Sequence, residues 1–296
     1  MIRGVLLPII TPFDEKVRVD EQMMRQLVDF HIGAGVQGLF VLGSTGQGPA
    51  MTIEERKQAG AIALDQAKSR VPVVIHVGTT DAGSTVELAE HAAAHRADAV
   101  AIVPPYYYSD HTEYEIIAHY KAVHKAVPLP IYIYENPKYS GISIPPGLAV
   151  RMKEQVPALK GIKVAYGQGA LLEYVRLMPD VSVFTGNADL FGLVPFGLAG
   201  MINPPTSFVP ELCVALWKAL DTKDYTQAVV AQKRIDAAAR IVAARLRKYG
   251  RVPLQEVYRM RGFAVKRFPK WETEQMPKEE IAKLERELRD EGILGQ

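Results

Sequence analysis

Eight short apolar runs rich in Val, Ile and Phe punctuate the chain: Gly4–Ile10, Gly38–Leu42, Pro72–Val77, Ala99–Val103, Pro130–Tyr134, Lys160–Val164, Val181–Thr185 and Ala199–Ile202. They are nearly continuous in apolar character and do not alternate with polar residues. That is the pattern of parallel strands buried on both faces. Between them lie helical patterns with identifiable starts. Asp20 can cap a helix whose Met23, Leu27 and Phe30 share a face, ending near Gly33 and Gly35. Thr52 with Glu55 forms a capping box ahead of a stripe of Ala59, Ile62, Ala63 and Ala67, and Thr112 with Glu115 repeats the device before Ile116–Val127. Ser143 and Pro145 predict another helix start, since Pro is harmless in a first turn. Eight strands, each followed by a helix, predict an α/β fold, the closed (β/α)8 TIM barrel; a doubly wound open sheet is the rival. Beyond residue 220 the strand signal stops, and Asp224–Arg247, Leu254–Phe268 and Lys278–Glu291 read as helices. Residues 1–220 are thus the expected barrel, and 221–296 a C-terminal helical extension of the same domain, packed on the barrel or on a partner.

Composition narrows the class. The 296 residues are 48% apolar and 23% charged, with 20 Pro and 23 Gly, which excludes collagen-like, disordered and disulfide-rich chains. Thirty-five basic against thirty-three acidic residues give a net charge of +2, without the basic footprint of a nucleic-acid binder. Cys213 stands alone, so no intramolecular disulfide or cysteine-rich zinc site exists, as suits a reducing compartment. No apolar run approaches the ~18 residues of a membrane span, and the N-terminus lacks signal-peptide features. The expectation is a soluble, cytoplasmic protein.

In a barrel of this kind the working face lies at the C-terminal ends of the strands, and the chemically useful residues follow the apolar runs. Gly43-Ser44-Thr45-Gly46-Gln47-Gly48-Pro49 offers two hydroxyls and free backbone N–H groups ahead of a helix, which suits a carboxylate or phosphate. It is neither a Walker loop, lacking the Gly-Lys-Ser/Thr ending, nor a dinucleotide loop, since Met51 stands where the third Gly belongs; an ordinary glycine-rich turn is the competing reading. Tyr106, Tyr107 and Tyr108 follow the fourth run, at a lid, an interface or the catalytic centre itself. Tyr132 and Tyr134 share one face of the fifth. Lys163 sits inside the sixth run, where a solvated charge is out of place. Desolvation there would lower its pKa and expose a nucleophilic amine able to form a Schiff base with a ketone or aldehyde, unless it is a strand-end lysine reaching water. His91 and His95, one helical turn apart, read as an outer-surface pair, because Ala92 occupies the position of a metalloprotease Glu. The charged tail from Lys278 to Glu291 reads as a solvated helix face. Ser44 lacks the Gly-x-Ser-x-Gly setting of a hydrolase nucleophile.

Together Gly43-Ser44-Thr45-Gly46, Pro105-Tyr106-Tyr107, Tyr134-x-x-Pro137, Gly161-Ile162-Lys163 and Gly186-Asn187 resemble the dihydrodipicolinate synthase and N-acetylneuraminate lyase family of class I pyruvate aldolases, over essentially the whole chain. The resemblance implies that Lys163 forms the imine with pyruvate or a 2-keto acid and that Tyr134 shuttles protons. Ser44 and Thr45 would hold the keto-acid carboxylate and relay protons, and Tyr107 would reach across a subunit interface. It further implies substrate-binding positions at Gly46, Gly186 and Ile202, a homotetramer built as a dimer of dimers, and small-molecule substrates. No metal or organic cofactor is implied.

Departures from the family pattern bear on the substrate. Dihydrodipicolinate synthases carry Tyr-Asn-x-Pro-x-Arg-Thr-Gly after strand five, whereas this chain has Tyr139 at the Arg position, and Lys138 next to it is no bidentate clamp. Gln47 replaces a usual Glu, Val164 an acidic residue, and Glu135 and Asn136 are unusual. The Ser-Thr-Gly-x-Gly-Pro form and the three tyrosines look more like 2-keto-3-deoxygluconate aldolases. A dihydrodipicolinate synthase, a hydratase-aldolase and a 2-keto-3-deoxy-acid dehydratase are the rivals within the family. A keto-acid-binding regulatory barrel is the non-enzymatic one, and an intact Lys163, Tyr134 and Ser44–Thr45 set argues against it.

Overall fold

In the computed structural model, which describes residues 1–165, 168–187, 193–203 and 207–295, the eight apolar runs become eight parallel strands. They are β1 (Gly4–Pro8), β2 (Gly38–Val41), β3 (Val73–His76), β4 (Ala99–Ile102), β5 (Ile131–Glu135), β6 (Leu159–Val164), β7 (Ser182–Thr185) and β8 (Gly200–Met201). Each pairs with its neighbour in sequence, and β8 returns to β1 through Gly4↔Gly200 and Val5↔Met201, closing the barrel. The open-sheet rival is therefore excluded. Burial on both faces explains the lack of alternation. Leu6, Phe40, Val74, Ala101, Tyr132, Tyr134, Phe184 and Ile202 fill the interior, while Val5, Leu7, Leu39, Val41, Val73 and Ile75 pack outward against helices. Gly161 makes room for this filling, since a Cβ there would lie 2.2 Å from the Tyr132 ring.

The helices that follow are α1 (Glu21–Gly33), α2 (Ile53–Ala67), α3 (Ala82–Ala94), α4 (Glu113–Ala126), α5 (Pro137–Ser140), α6 (Pro146–Gln155), α7 (Gln168–Leu177) and α8 (Pro210–Asp221). Asp20 accepts from the Met23 N–H, and both capping boxes form in full. One expectation needs correction. Ser143 caps nothing: its hydroxyl donates to the buried Glu135 Oε1 at 3.0 Å, and Pro145 holds the cap position of α6. A short turn, α5, precedes that helix. After β7 the described residues include a 3₁₀ turn, Val194–Phe196; residues 188–192, where the expected helix would begin, lie outside the described residues.

The C-terminal part supplies α9 (Tyr225–Tyr249), α10 (Val252–Met260) and α11 (Lys278–Asp290). The helix expected over Leu254–Phe268 ends at Met260. Gly262, with φ of 89°, follows closely, and the chain then runs back to the barrel, where Arg267 bridges to Phe13. Ile235, Ile241, Leu284 and Leu288 join the same apolar core as the barrel's outer face. Arg245, buried in α9, pairs with Glu287 of α11 at 2.9 Å.

Candidate active site

β5 and β6 place two reactive side chains side by side. Tyr134 and Lys163 are register partners on adjacent strands, both directed into the barrel. The Lys163 amine lies 4.2 Å from the Tyr134 ring centre and 4.7 Å from that of Phe40. It is 3% exposed, and burial alone pulls its pKa from 10.5 down to about 7. Phe40 and His76 also meet the Tyr134 ring edge-on, each at 5.7 Å.

The loop after β2 completes the arrangement. Leu42 and Gln47, both at positive φ (65° and 57°), bracket Gly43–Gly46, a conformation that costs free energy in non-glycine residues. Thr11 Oγ1 donates to the Gly46 carbonyl at 2.7 Å and pins the loop from β1's side. Ser44 Oγ then lies 3.2 Å from the Tyr134 hydroxyl, which also accepts from Asn136 Nδ2 at 2.8 Å. Burial raises the Tyr134 pKa, against the opposing pull of these two hydrogen bonds and the Arg251 charge. The phenol therefore holds its proton at neutral pH, beside the Ser44 hydroxyl.

Two adjoining cavities open at this face. The larger, about 670 Å³, is lined by Ser44, Thr45, Tyr134, Asn136, Lys163 and Gly186 on the barrel side and by Ala239, Val242, Leu246, Arg251 and Trp271 on the other. The smaller, about 210 Å³, shares Ser44, Tyr134, Tyr139, Arg251 and Trp271 with it and adds Gln47, His76 and Tyr106. Ser44, Thr45, Tyr134, Lys163 and Gly186 thus come together. At Gly186 a Cβ would sit 2.8 Å from Ala165 Cα, so the close approach needs glycine. Gly46 and Ile202 do not line either cavity: Gly46 is held by Thr11, and Ile202 is barrel filling. Tyr107 lines neither cavity of its own chain. Its backbone turns to φ of 84°, its ring packs edge-on against Tyr108, and it is 82% exposed, while Tyr106 faces the smaller cavity.

Arg251 and Trp271 escaped sequence reasoning altogether, because the C-terminal segment read as an external extension. It is a wall of the site. Arg251 Nη1 donates to the Ser44 carbonyl at 2.7 Å, and the Lys270 N–H donates to Gln47 Oε1 at 2.8 Å. His91 and His95 stack at 4.1 Å on α3, remote from this face. Among the described residues no group of three or more His, Cys, Asp or Glu is placed to hold a metal ion, and no helix is long and apolar enough to cross a membrane.

The family model for the dihydrodipicolinate synthetase family matches residues 1–290. The chain belongs to this family. Its relatives include the 4-hydroxy-tetrahydrodipicolinate synthase of Kosmotoga olearia, 33% identical over 222 residues, covering 73% of this chain and 74% of that one. An Escherichia coli K12 protein named putative 2-dehydro-3-deoxy-D-gluconate aldolase YagE is 32% identical over 234 residues, 77% of each chain. The crystal structure of YagE in complex with pyruvate superposes with a TM-score of 0.90 at 26% identity over 99% of each chain. As a member of the dihydrodipicolinate synthetase family, the protein is an enzyme of the class I aldolase type acting on small molecules.

Proposed function

We propose that this enzyme carries its keto substrate as a Schiff base on Lys163 and cleaves or forms a 2-keto-3-deoxy sugar acid, with pyruvate as one product or reactant. The observation that carries the reading is the buried Lys163 amine, brought to about 7 by desolvation alone beside the Tyr134–Ser44 hydroxyl pair. The neutral amine attacks the C2 carbonyl. The carbinolamine then loses its hydroxyl as water, with Tyr134 supplying the proton, to leave an iminium. In the cleavage direction a base takes the proton of the C4 hydroxyl, C4 becomes an aldehyde carbon and the C3–C4 bond breaks. Its electron pair moves into the iminium to give an enamine. Protonation at C3 and hydrolysis by one water return pyruvate and free Lys163. The Ser44–Thr45 loop is the proposed seat of the keto-acid carboxylate, fixing the C2 carbon before the amine.

Tyr139, in place of a guanidinium in the β5 loop, and the relative named as a gluconate-type aldolase favour sugar-acid cleavage. The relatives named as synthases keep condensation with an aldehyde as the second reading. In either, the exposed Tyr107 and Tyr108 form a rim that a second copy of the chain would cover, in keeping with a homotetramer. Pyruvate offered with D-glyceraldehyde, with aspartate semialdehyde and with an aromatic aldehyde separates the readings. Turnover with glyceraldehyde above the aromatic aldehyde is expected. Turnover confined to aspartate semialdehyde would make the enzyme a synthase, and loss of water from a sugar acid without aldehyde release would make it a dehydratase.

A further inference from the structure

The described walls of the two cavities contain three cations, Lys163, Arg240 and Arg251, and no carboxylate. Lys163 is accounted for by the Schiff base. Arg251 is different from its neighbours in the C-terminal part, where Arg245, Arg259 and Arg261 each pair with a glutamate. Among the described residues Arg251 makes one hydrogen bond, to the Ser44 carbonyl, and its guanidinium lies 5.8 Å from the Trp271 ring centre. Held between that carbonyl and that ring, it keeps N–H groups to spare at a cavity it shares with Gln47.

Gln47 supplies a second, independent sign. Its Oε1 is engaged by the Lys270 backbone N–H, a group that can only donate, so the orientation of the amide is settled. The Nε2 end is left buried and without a partner among the described residues, although Gln47 is only 3% exposed. A buried N–H donor with no acceptor costs free energy until a ligand supplies one. His76 is buried in the same wall, with its imidazole against the Leu42 backbone.

From this we infer that Arg251 and Gln47 form an anion subsite in the smaller cavity, which receives a terminal carboxylate or phosphate ester on the aldehyde half of the substrate. The inference deepens the Schiff-base reading and rests on it. Lys163 takes the keto end at one side of Tyr134, and the guanidinium takes an acidic end at the other. A guanidinium with a free edge, joined by an amide N–H, matches the oxygen pairs of both anion types.

The test is the ratio of kcat/KM for charged over neutral aldehydes in condensation with pyruvate, using D-glyceraldehyde 3-phosphate, succinate semialdehyde and D-glyceraldehyde. In the wild type one charged aldehyde is expected to exceed glyceraldehyde by roughly 10- to 100-fold, and which one does so distinguishes phosphate from carboxylate. Arg251→Gln is expected to bring that ratio close to one and Arg251→Lys to keep part of it. Gln47→Glu, which places a like charge beside the anion, is expected to lower it. A wild-type ratio near one, or a ratio unmoved by Arg251→Gln while all three aldehydes slow together, would overturn the subsite and leave Arg251 as a support for the Ser44 loop. Calorimetric titration of glycerol 3-phosphate and of succinate into wild type and Arg251→Gln reads the subsite without turnover. Binding of neither to the wild type overturns it too. Reductive trapping of pyruvate on wild-type Lys163 is scored separately, so failure of the Schiff-base reading cannot be mistaken for failure of the subsite.

Discussion

Replacing Lys163 with methionine removes a buried ionisable amine from the barrel, and the gain in stability carries a pH signature that only the amine can produce. The side chain is 3% exposed, and burial alone moves its pKa from 10.5 to about 7. At about 1.4 kcal/mol for each pKa unit, the difference amounts to about 5 kcal/mol that the fold gives up to keep an ionisable amine there. Above pH 10.5 the amine is neutral in both folded and unfolded chains, so no penalty applies. As the pH falls towards about 7 the unfolded chain takes up the proton while the folded chain does not. Wild-type stability therefore drops by about 1.4 kcal/mol per pH unit across that window. Below about pH 7 both states are protonated and the penalty is constant. Denaturant unfolding of wild type and Lys163→Met, at several pH values across the window, isolates this residue because titrations that do not depend on the Lys163 charge cancel in the difference. The advantage of methionine is expected to be largest at the acid end and to shrink by about 1.4 kcal/mol per unit as the pH rises. An advantage that stayed flat would mean that Lys163 titrates like a solvated lysine. The same shift leaves about half of the amines neutral at pH 7, roughly a thousandfold more than for an ordinary lysine, so the rate of imine formation is expected to level off above pH 7.

Three further perturbations probe the surrounding architecture. Tyr134→Phe keeps the ring packed against Phe40 and His76 but removes the hydroxyl, and is expected to slow turnover by about 100-fold or more; an unchanged kcat would reduce Tyr134 to packing. Gly161→Ala drives a methyl into the Tyr132 ring, and unfolding midpoints are expected to report a loss of about 2 kcal/mol or more, whereas wild-type stability would show that the ring moves freely aside. Thr52→Ala removes one half of the capping box of α2 and is expected to cost about 1 kcal/mol, read in the same unfolding assay; no loss would mean that water serves the freed N–H group equally well.

The barrel was legible because its determinants are local. A strand buried on both faces has to read as an unbroken apolar run, and a capping box is closed within four residues, so β1 to β8 and the starts of α1, α2 and α4 could be read directly. Lys163 and Tyr134 announced themselves as polar groups inside such runs. Other features depend on contacts the sequence does not display. Ser143 resembles a helix cap, but a buried carboxylate, Glu135, competes for its hydroxyl and wins. The helix pattern starting at Leu254 persists in the apolar spacing after the backbone has left the helix. Tyr106 and Tyr107 are adjacent and identical in type; only the backbone turn beyond β4 decides which faces the cavity. Arg251 and Lys270 meet the Ser44–Gln47 loop across 207 and 223 residues respectively, a separation at which no local pattern carries information. The same distance explains why the C-terminal helices looked like an extension when they are half of the site.

The most direct test of the account is borohydride reduction of the enzyme in the presence of pyruvate, followed by peptide mapping by mass spectrometry. The account predicts a single reduced pyruvyl adduct on Lys163, absent in Lys163→Met and forming faster as the pH rises through about 7. Folded wild-type protein that yields no adduct, or yields it on another lysine, would contradict the assignment of Lys163 as the imine-forming residue.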